Sequence, residues 1–411
     1  MLVNKEGRVL HTERPQKARS IANRTVLLSG WYGLDNAGDE AILQQFIREF
    51  VEKDGINLCV LSERPTRVLE CYGEHGLQAI FHYVPLGRSF AKSIWKGECR
   101  EVFDAIRRAD LFVLGGGGII RDNTSWRTVV RILDDLWLAK LLGKPTALYA
   151  VGVGPFISRA RTWLIAQTLR QCDLITVREE TSRAQLEAIG IPKERIVVVA
   201  DPALLLPAEP VKNAVLRKHL VSLTSKERVL GLFVHEDDTP VEPLAKALDR
   251  LYQQHGFCFV SIPMRCHDRQ DDRQAARRVQ QRMNYPEAIE LVETPLKAAE
   301  IKWLTGRFSV NITVRLHALI FSLAMKTPAV AINYEPKIAN CLRSFGLESC
   351  QIDCTENVEE QVVKKILECG ARRDAYVQHI QAFLPERLDA ASRTFALLRK
   401  LMLSSGPGAG N

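Results

Sequence analysis

The chain has 411 residues, 46% of them hydrophobic, and carries 56 Lys and Arg against 48 Asp and Glu, a formal net charge of +8. These values are ordinary for a globular protein and exclude a disordered, collagenous or coiled-coil chain. The length predicts two domains. The positive charge favours an acidic partner, which leaves nucleic acid, an anionic membrane surface and a phosphorylated small molecule open.

The two ends of the chain and its cysteines exclude further classes. Residues 1–24 are basic and polar without the apolar core of a signal peptide, so we expect a flexible arm on a cytoplasmic protein. No apolar run reaches the roughly 18 residues of a membrane-spanning helix. None of the ten cysteines forms a C-x-x-C pair, so we expect no metal. Residues 404–411 are expected to form a disordered tail.

In the first half of the chain, short apolar strands alternate with amphipathic helices. Strands are predicted at 25–30, 57–62, 111–117, 146–154, 174–179 and 195–200. Helices are predicted between them at 39–52, 98–108, 127–142, 160–171 and 181–189. The strands are apolar throughout, which is typical of a parallel sheet covered by helices on both faces. We therefore expect residues 25–205 to form an N-terminal Rossmann-like domain.

The pattern restarts after a proline-containing linker at 206–227. Strands are predicted at 228–235, 257–264, 288–294, 308–314 and 329–334, and helices at 241–254, 268–283, 295–304, 317–326 and 336–345. Residues 228–373 would form a C-terminal Rossmann-like domain, and a helix at 374–403 would pack back toward the first. The fold class is α/β, with two doubly wound domains facing a cleft, and resembles the GT-B architecture.

A Gly-rich turn joins the first strand to the first helix. Glycines allow close approach of a ligand, and the free N–H groups of a helix start can hold an anion. The spacing fits neither the dinucleotide fingerprint nor a P-loop, and a tight turn favoured by acidic residues at the helix start is the alternative. If the turn is a site, its ligand contacts are Gly33, Asn36, Gly38 and Asp39.

Four consecutive glycines end the third predicted strand, at 115–118. Each costs conformational entropy on folding, so the run predicts a backbone that lies close to a ligand or to a neighbouring strand. If it lines a ligand site, the contacting residues are Gly116, Gly117, Gly118 and Asp122.

Arg315 and His317 stand where a strand of the second domain passes into a helix. Being two residues apart, they point the same way in an extended run. Arginine binds carboxylates and phosphates, and histidine exchanges a proton near neutral pH. Tyr334 and Lys337 follow the next strand at the same sheet edge. Taken alone, His317 fits a buried core histidine better than a site residue, but the combination favours an anion-binding acid/base site.

Arg178 repeats this arrangement in the first domain, where a strand ends and a helix containing Ser182 begins. A strand-end salt bridge is the alternative interpretation of Arg178. The segment 264–283 has six Arg against three Asp. It predicts a solvated face, with a polyanion or membrane surface as the alternative, and its lack of aromatic residues argues against single-stranded nucleic acid.

Together these motifs resemble the polysaccharide pyruvyl transferase family, in particular the CsaB-like enzymes of bacterial cell-wall polymer synthesis. The resemblance runs from Thr25 to about residue 400 and is carried by SGWYGLDNAGDEAIL, LGGGG, ITVREETS and VRLHALIFSLAMKTPAVAINYEPK. Trp31 and Arg121 depart from the usual family residues, and Arg121 is expected to alter acceptor contacts.

The resemblance implies transfer of a pyruvyl group from phosphoenolpyruvate onto two sugar hydroxyls as a cyclic ketal, without a cofactor. It implies a lipid-linked acceptor similar to an N-acetylmannosamine-containing disaccharide, whose polymer anchors S-layer proteins. Arg178, Arg315 and Lys337 would hold the donor, and His317 would be the general acid/base. The second domain would then be the phosphoenolpyruvate side and the first the acceptor side. Ser182 and Tyr334 would contact substrate.

Two rival functions remain open on the sequence. One is a sugar-nucleotide glycosyltransferase of the same architecture, with Glu335 on the ribose; the other is a non-catalytic binding protein. Nucleic acid is not an expected partner. The basic arm and the segment 264–283 suggest peripheral contact with an anionic membrane at its inner face.

Overall fold

A computed structural model describes residues 20–82, 97–225, 228–267, 270–354 and 357–404. Residues 1–19 of the predicted basic arm and 405–411 of the predicted tail therefore lie outside the described residues. In the described ranges, no helix is both long enough and apolar enough to span a membrane.

The first half of the chain forms a seven-stranded parallel sheet in the order β3-β2-β1-β4-β5-β6-β7. Its strands are β1 Thr25–Ser29, β2 Asn57–Ser62, β3 Gln78–Phe81, β4 Leu111–Gly115, β5 Thr146–Val151, β6 Leu174–Val177 and β7 Ile196–Val198. Its helices are α1 Ala37–Phe46, which a π-helical turn at Ile47–Glu52 extends, α2 Pro65–Tyr72, α3 Glu98–Arg108, α4 Trp126–Leu141, α5 Arg159–Leu169 and α6 Glu180–Ala188. The central strands are buried along their length, as the continuous apolar runs predict.

The second half forms a six-stranded parallel sheet in the order β12-β9-β8-β13-β14-β15. Its strands are β8 Val229–Phe233, β9 Cys258–Ser261, β12 Ile289–Leu291, β13 Asn311–Thr313, β14 Ala329–Asn333 and β15 Gln351–Asp353, and a small hairpin pairs β10 Cys266–His267 with β11 Gln270–Asp271. Its helices are α8 Val241–His255, α9 Asp272–Arg282, α10 Ala298–Thr305, α11 Leu316–Ala324, α12 Pro336–Ser344 and α13 Val358–Ala371. Both sheets therefore have Rossmann strand order, and the predicted α/β fold class is confirmed.

The predicted linker is not an extended connector throughout, because a helix, α7 Ala214–Thr224, lies within it. Asn213 caps this helix by accepting a hydrogen bond from the Leu216 N–H at 3.0 Å. The segment 268–283 also differs from the sequence prediction, since its helix begins at Asp272 and the hairpin precedes it.

The closing helix, α14 Arg373–Ser404, joins the two domains. Near its start, the Arg373 guanidinium donates to the Ser309 carbonyl of the second domain at 3.2 Å. Farther along, Phe395 packs against Tyr149 and Phe50 of the first domain, with ring centroids 5.7 and 5.8 Å apart. Buried aromatic contacts of this kind stabilise the relative placement of the domains, which the cleft between them requires.

The Gly-rich turn of the first domain meets the second domain directly. The Ala37 N–H donates to the Met264 carbonyl at 2.8 Å, and the Cys266 N–H donates to the Asp35 carbonyl at 3.2 Å. The start of α1 is thus held against the β10 segment at the edge of the cleft.

Candidate active site

A cleft of about 530 Å³ lies between the carboxyl ends of the two sheets. Both domains line it, as expected for doubly wound folds. Nine of the residues predicted from the sequence reach it: Asn36, Asp39, Gly117, Gly118, Arg178, Arg315, His317, Tyr334 and Lys337. Gly33, Gly38, Gly116, Asp122 and Ser182 do not line it.

His317 and Arg178 come from different domains and meet at Asp201. The Arg178 Nη1 lies 3.0 Å from Asp201 Oδ2, and the His317 Nε2 lies 3.5 Å from the same oxygen. Burial opposes ionisation of Asp201, but contact with His317 and the charge of Arg178 outweigh it and hold its pKa well below the usual range. Asp201 is therefore an ionised carboxylate that orients both predicted site residues.

Arg315 is held by a second buried carboxylate. Its Nε donates to Asp272 Oδ2 at 3.0 Å, and its Nη2 donates to the other oxygen of the same carboxylate. The Met264 N–H also donates to Asp272, at 3.2 Å. This fork uses one edge of the guanidinium and holds Arg315, which lines the cleft, in a fixed orientation for an anion.

Lys337 lies beside Glu335, with 2.5 Å between Nζ and Oε2. Burial lowers the pKa of Lys337, while Glu335 opposes that shift. Glu335 is half exposed, so an incoming phosphate or carboxylate can take its place beside the ammonium group. The three predicted cations thus each have a carboxylate partner, which the sequence suggested only for Arg178, as the alternative interpretation of that residue.

His235 follows strand β8 and adds a second imidazole to the cleft. Burial and the charges of Arg315, Lys337 and Arg265 lower the pKa of His235 to about 3. It is neutral at physiological pH and hydrogen-bonds without adding charge.

The Gly-rich turn brings α1 against His317. Asn36 caps the helix, with its side chain accepting from the Gly38 N–H at 3.2 Å and donating to Asp39 Oδ2 at 2.7 Å. A methyl group at Gly38 would overlap the His317 ring at Nδ1. Gly38 therefore acts by making room for His317. Asp39 faces the cleft, and burial raises its pKa although His317 opposes the shift.

Two predicted substrate contacts have structural partners instead. The Gly33 N–H donates to Glu40 Oε1 at 2.7 Å. Asp122 accepts from the Ile157 N–H, the Ser158 N–H and the Thr162 hydroxyl at 2.6, 2.8 and 2.7 Å. These bonds occupy the Asp122 carboxylate and tie the loop after β4 to the start of α5.

Two further predicted contacts also lie behind the cleft wall. The Ser182 hydroxyl accepts from the Val153 N–H at 2.9 Å and donates to Glu179. Gly116 packs under the Tyr32 hydroxyl, where an added Cβ would lie 2.7 Å from the oxygen. At Gly117, by contrast, an added Cβ would lie 2.6 Å from Asp39 Oδ1, a residue that lines the cleft. The glycine run therefore packs closely against its neighbours at Gly116 and lines the cleft at Gly117 and Gly118.

Sequence reasoning missed Asp201, Asp272, His235 and Arg265 as site residues. Asp201 follows β7 and precedes a proline, so it carries the strand-end signal that identified Arg178. Asp272 and Arg265 belong to the segment interpreted as a solvated face. Farther along α9 that interpretation agrees with the structure, because Arg277 pairs with Glu293 at 2.5 Å on the surface.

Within the described part of the chain, one group of side chains that could bind a metal lies outside the cleft. Ligand atoms of His82, Asp134 and Asp135 all lie within 4.8 Å of one another. The His82 Nε2 lies 2.7 Å from Asp135 Oδ2, which is an ion-pair distance between two buried groups, and we assign no metal to them.

The buried carboxyl group of Glu40, next to the Gly-rich turn, predicts how the stability of the protein depends on pH. Burial raises the pKa of Glu40 to about 7, against hydrogen bonds from Gly33 and Tyr72. Between about pH 4.5 and about pH 7 the unfolded state ionises first, so native stability should fall as pH rises. Glu40→Gln keeps the shape without the charge and should flatten this slope.

Urea unfolding at about pH 5 and about pH 8 measures the effect, since the variant should gain stability relative to wild type at the higher pH. An unchanged difference between variant and wild type at the two pH values would show that Glu40 is ionised in the native state throughout.

Comparisons with known proteins bear on the family and the fold of the chain. The chain matches the family described as polysaccharide pyruvyl transferase over residues 36–336. It is 23% identical over 382 residues to the amylovoran biosynthesis protein AmsJ of Erwinia amylovora. The alignment covers 83% of this chain and 91% of AmsJ.

Solved structures share the fold. A UDP-GlcNAc 2-epimerase from Neisseria meningitidis has a TM-score of 0.63 at 11% identity. The alignment covers 93% of this chain and 100% of the epimerase chain. A glycosyltransferase from Rickettsia africae has a TM-score of 0.64 at 14% identity, with the same coverage. These similarities confirm the GT-B-like architecture. The match over residues 36–336, which contain Asn36, Gly38 and Asp39 of the Gly-rich turn and the R-x-H strand end, shows that the chain belongs to the polysaccharide pyruvyl transferase family.

Proposed function

We propose that this transferase moves a pyruvyl group from phosphoenolpyruvate onto two hydroxyls of a saccharide as a cyclic ketal. The observation that carries the proposal is the convergence of Arg178 and Asp39 from one domain with Arg315, His317 and Lys337 from the other in one cleft. Phosphoenolpyruvate carries a carboxylate and a phosphate, and two arginines and a lysine suit these groups.

The reaction adds a proton to the methylene carbon of the donor and opens its central carbon to attack. One acceptor hydroxyl forms the first C–O bond, and the C–O bond to phosphate breaks with its electron pair. A second hydroxyl then closes the ring. The donor and two hydroxyls give one ketal and inorganic phosphate, and the protons balance without an oxidant or a metal.

In this scheme His317 is the general acid/base, because its Nε2 faces the ionised Asp201 and its ring lies at the cleft wall. Asp201 would orient the imidazole. Arg178, Arg315 and Lys337 would bind the donor and stabilise the departing phosphate. Asn36, Asp39, Gly117 and Gly118 would line the acceptor side.

We further propose that the acceptor is a lipid-linked precursor of a cell-surface polysaccharide, similar to the N-acetylmannosamine-containing disaccharide of CsaB-like enzymes. The enzyme would then act in the cytoplasm at the inner face of the membrane. Anchoring of S-layer proteins by the finished polymer is the most specific part of this proposal and rests on the family resemblance of the sequence motifs.

Purified protein tests the reaction directly. With phosphoenolpyruvate and a lipid-linked disaccharide, it should release phosphate and add one condensed pyruvate to the acceptor, measured by mass spectrometry. The alternative, a sugar-nucleotide glycosyltransferase, predicts another result: a UDP-sugar, and not phosphoenolpyruvate, should raise the melting temperature. The absence of both phosphate release and thermal stabilisation by phosphoenolpyruvate would contradict the proposal.

Asp201→Asn should reduce both activity and stability. The substitution leaves the buried Arg178 without its anionic partner, and removing one member of a buried pair typically costs about 3–5 kcal/mol. Since the native pKa of Asp201 is lowered, its contribution is present above the unfolded-state pKa and is lost in acid. The stability difference between variant and wild type should therefore shrink as pH falls.

Denaturant unfolding of Asp201→Asn measures this effect. Glu293→Gln, which removes the surface partner of Arg277, is the matched control and should cost less than about 1 kcal/mol. Equal losses in the two variants would rule out a special role for Asp201.

A further inference from the structure

The outer layer of the first domain exposes an apolar surface that the cleft does not use. It consists of five side chains, which we call the α4–α5 face: Trp126, Trp137, Leu141, Ile157 and Trp163. Ile157 is 69% exposed and Trp163 is 63% exposed, well beyond the exposure of a packed core residue. Three of the six tryptophans in the chain lie here. A concentration of exposed aromatic residues marks an interaction surface.

The face is continuous because its two helices pack together. The Trp137 indole N–H donates to the Thr168 hydroxyl at 2.7 Å, which joins α4 to α5. At the other end, Asp122 ties the loop before α4 to the loop before α5 through its bonds to Ile157 and Ser158. The apolar side chains therefore project from one rigid layer.

The charge around this face is strongly positive. Residues 121–170 contain eight Lys and Arg against three Asp, which accounts for an excess of five in a chain whose net charge is +8. Two of the three aspartates, Asp122 and Asp135, are buried, whereas Arg121, Arg127 and Arg159 are exposed. The flanking helices α3 and α6 carry mixed charges. The excess therefore does not extend to the two flanking helices.

The face also borders the mouth of the cleft. Arg121 lines the cleft and belongs to the loop that leads into Trp126 at the start of α4. Ile157 lies in the loop after β5, at the same carboxyl edge of the parallel sheet. A surface held against the α4–α5 face would therefore meet the opening through which an acceptor enters.

We propose that the α4–α5 face docks on an anionic phospholipid membrane. Tryptophan suits the interface between lipid and water because its ring is apolar and its N–H is polar. Exposed arginines bind acidic head groups, and their alkyl stems lie along apolar surface. The choice of membrane rests on the proposed lipid-linked acceptor, although the binding itself does not require pyruvyl transfer.

The proposal places membrane contact at α4–α5 rather than on the Arg-rich helix α9. Three of the four arginines of α9 already pair with a carboxylate: Arg273 lies 2.7 Å from Asp271, Arg277 lies 2.5 Å from Glu293, and Arg282 lies 3.7 Å from Glu242. Paired arginines offer little net charge to a membrane.

Vesicle co-sedimentation without donor or acceptor tests the proposal. The full chain should bind vesicles of equal parts phosphatidylglycerol and phosphatidylcholine, should bind phosphatidylcholine alone more weakly, and should release in high salt. Ile157→Ser and Trp163→Ser should each weaken binding about tenfold, since each removes a large apolar side chain from the interface. Arg127→Gln combined with Arg159→Gln should reduce the preference for phosphatidylglycerol.

Matched controls keep the result specific. Val215 is 81% exposed on α7, so Val215→Ser removes an exposed apolar side chain elsewhere, and Arg277→Gln removes a charge from α9. Both should bind vesicles like wild type. All variants should keep the melting temperature and the rate on a short water-soluble acceptor, which separates this test from that of the chemistry.

Three outcomes would overturn the proposal. The protein does not bind the anionic vesicles; the face variants bind as well as wild type; or Trp163→Ser converts a dimer to a monomer in light scattering, which would make the face a contact between two copies of the chain. The proposal is supported if the α4–α5 face variants lose vesicle binding while the two control variants bind like wild type.

Discussion

His317→Ala should lower the rate of pyruvyl transfer by about 10²–10⁴-fold, the usual contribution of a positioned general acid/base. The imidazole lies at the cleft wall with Nε2 facing Asp201, and the site retains Arg178, Arg315 and Lys337 when the ring is removed. Because those cations remain, phosphoenolpyruvate should still bind. The loss should therefore fall mainly on kcat rather than on KM.

Phosphate release at several donor concentrations, together with calorimetric donor binding, separates these effects. His219→Ala is the control, since this half-exposed histidine pairs with Glu290 on the surface. It should keep the wild-type rate. Near-wild-type turnover of His317→Ala would remove His317 from the mechanism.

Gly38→Ala should impair catalysis although Gly38 does not line the cleft. The added methyl group would overlap the His317 ring, so the imidazole must move away from its place beside Asp201. A displacement of about 1 Å in a catalytic group can cost about 10²-fold in rate. We expect a loss of that order in kcat, with the secondary structure unchanged.

Gly370→Ala provides the matched control. Gly370 also lies in a helix, α13, and an added Cβ there meets no atom within 4 Å. This substitution should leave activity unchanged and raise stability by up to about 1 kcal/mol, since alanine favours a helix.

A double variant identifies the cause of the Gly38→Ala effect. In the His317→Ala background the methyl group has room, so Gly38→Ala should cost little more in rate. Additive losses in the double variant would show that Gly38 acts through the helix start rather than through His317.

Much of the secondary structure was predictable because it follows from short segments of the sequence. The run at 57–62 forms a strand with those bounds, since a continuous apolar segment bounded by polar residues fits a sheet buried on both sides. The short β3 was missed because Gln78–Phe81 is only partly buried and has no such run. The helix α7 was missed because prolines before it outweighed the Asn213 cap.

The site was predictable in part for a related reason. In a parallel sheet, polar residues that follow strands gather at one edge, so Arg178, Arg315, His317 and Lys337 were placed there from the sequence and do line one cleft. The same rule applied to Asp201 would have found the residue that joins two of them. Asp122 and Ser182 satisfied the rule and still bond to backbone N–H groups behind the cleft.

The sequence by itself determined two doubly wound domains, a cationic strand-end site and membership of a pyruvyl transferase family, because periodicity, strand ends and motif spacing are local properties. Only the tertiary structure decided that Asp201 joins Arg178 to His317, that Asp272 holds Arg315, and that the α4–α5 face is exposed. Each of these contacts joins residues that are far apart in the chain. Which residues meet depends on how the two sheets and α14 pack, and a local sequence pattern contains no information about that packing.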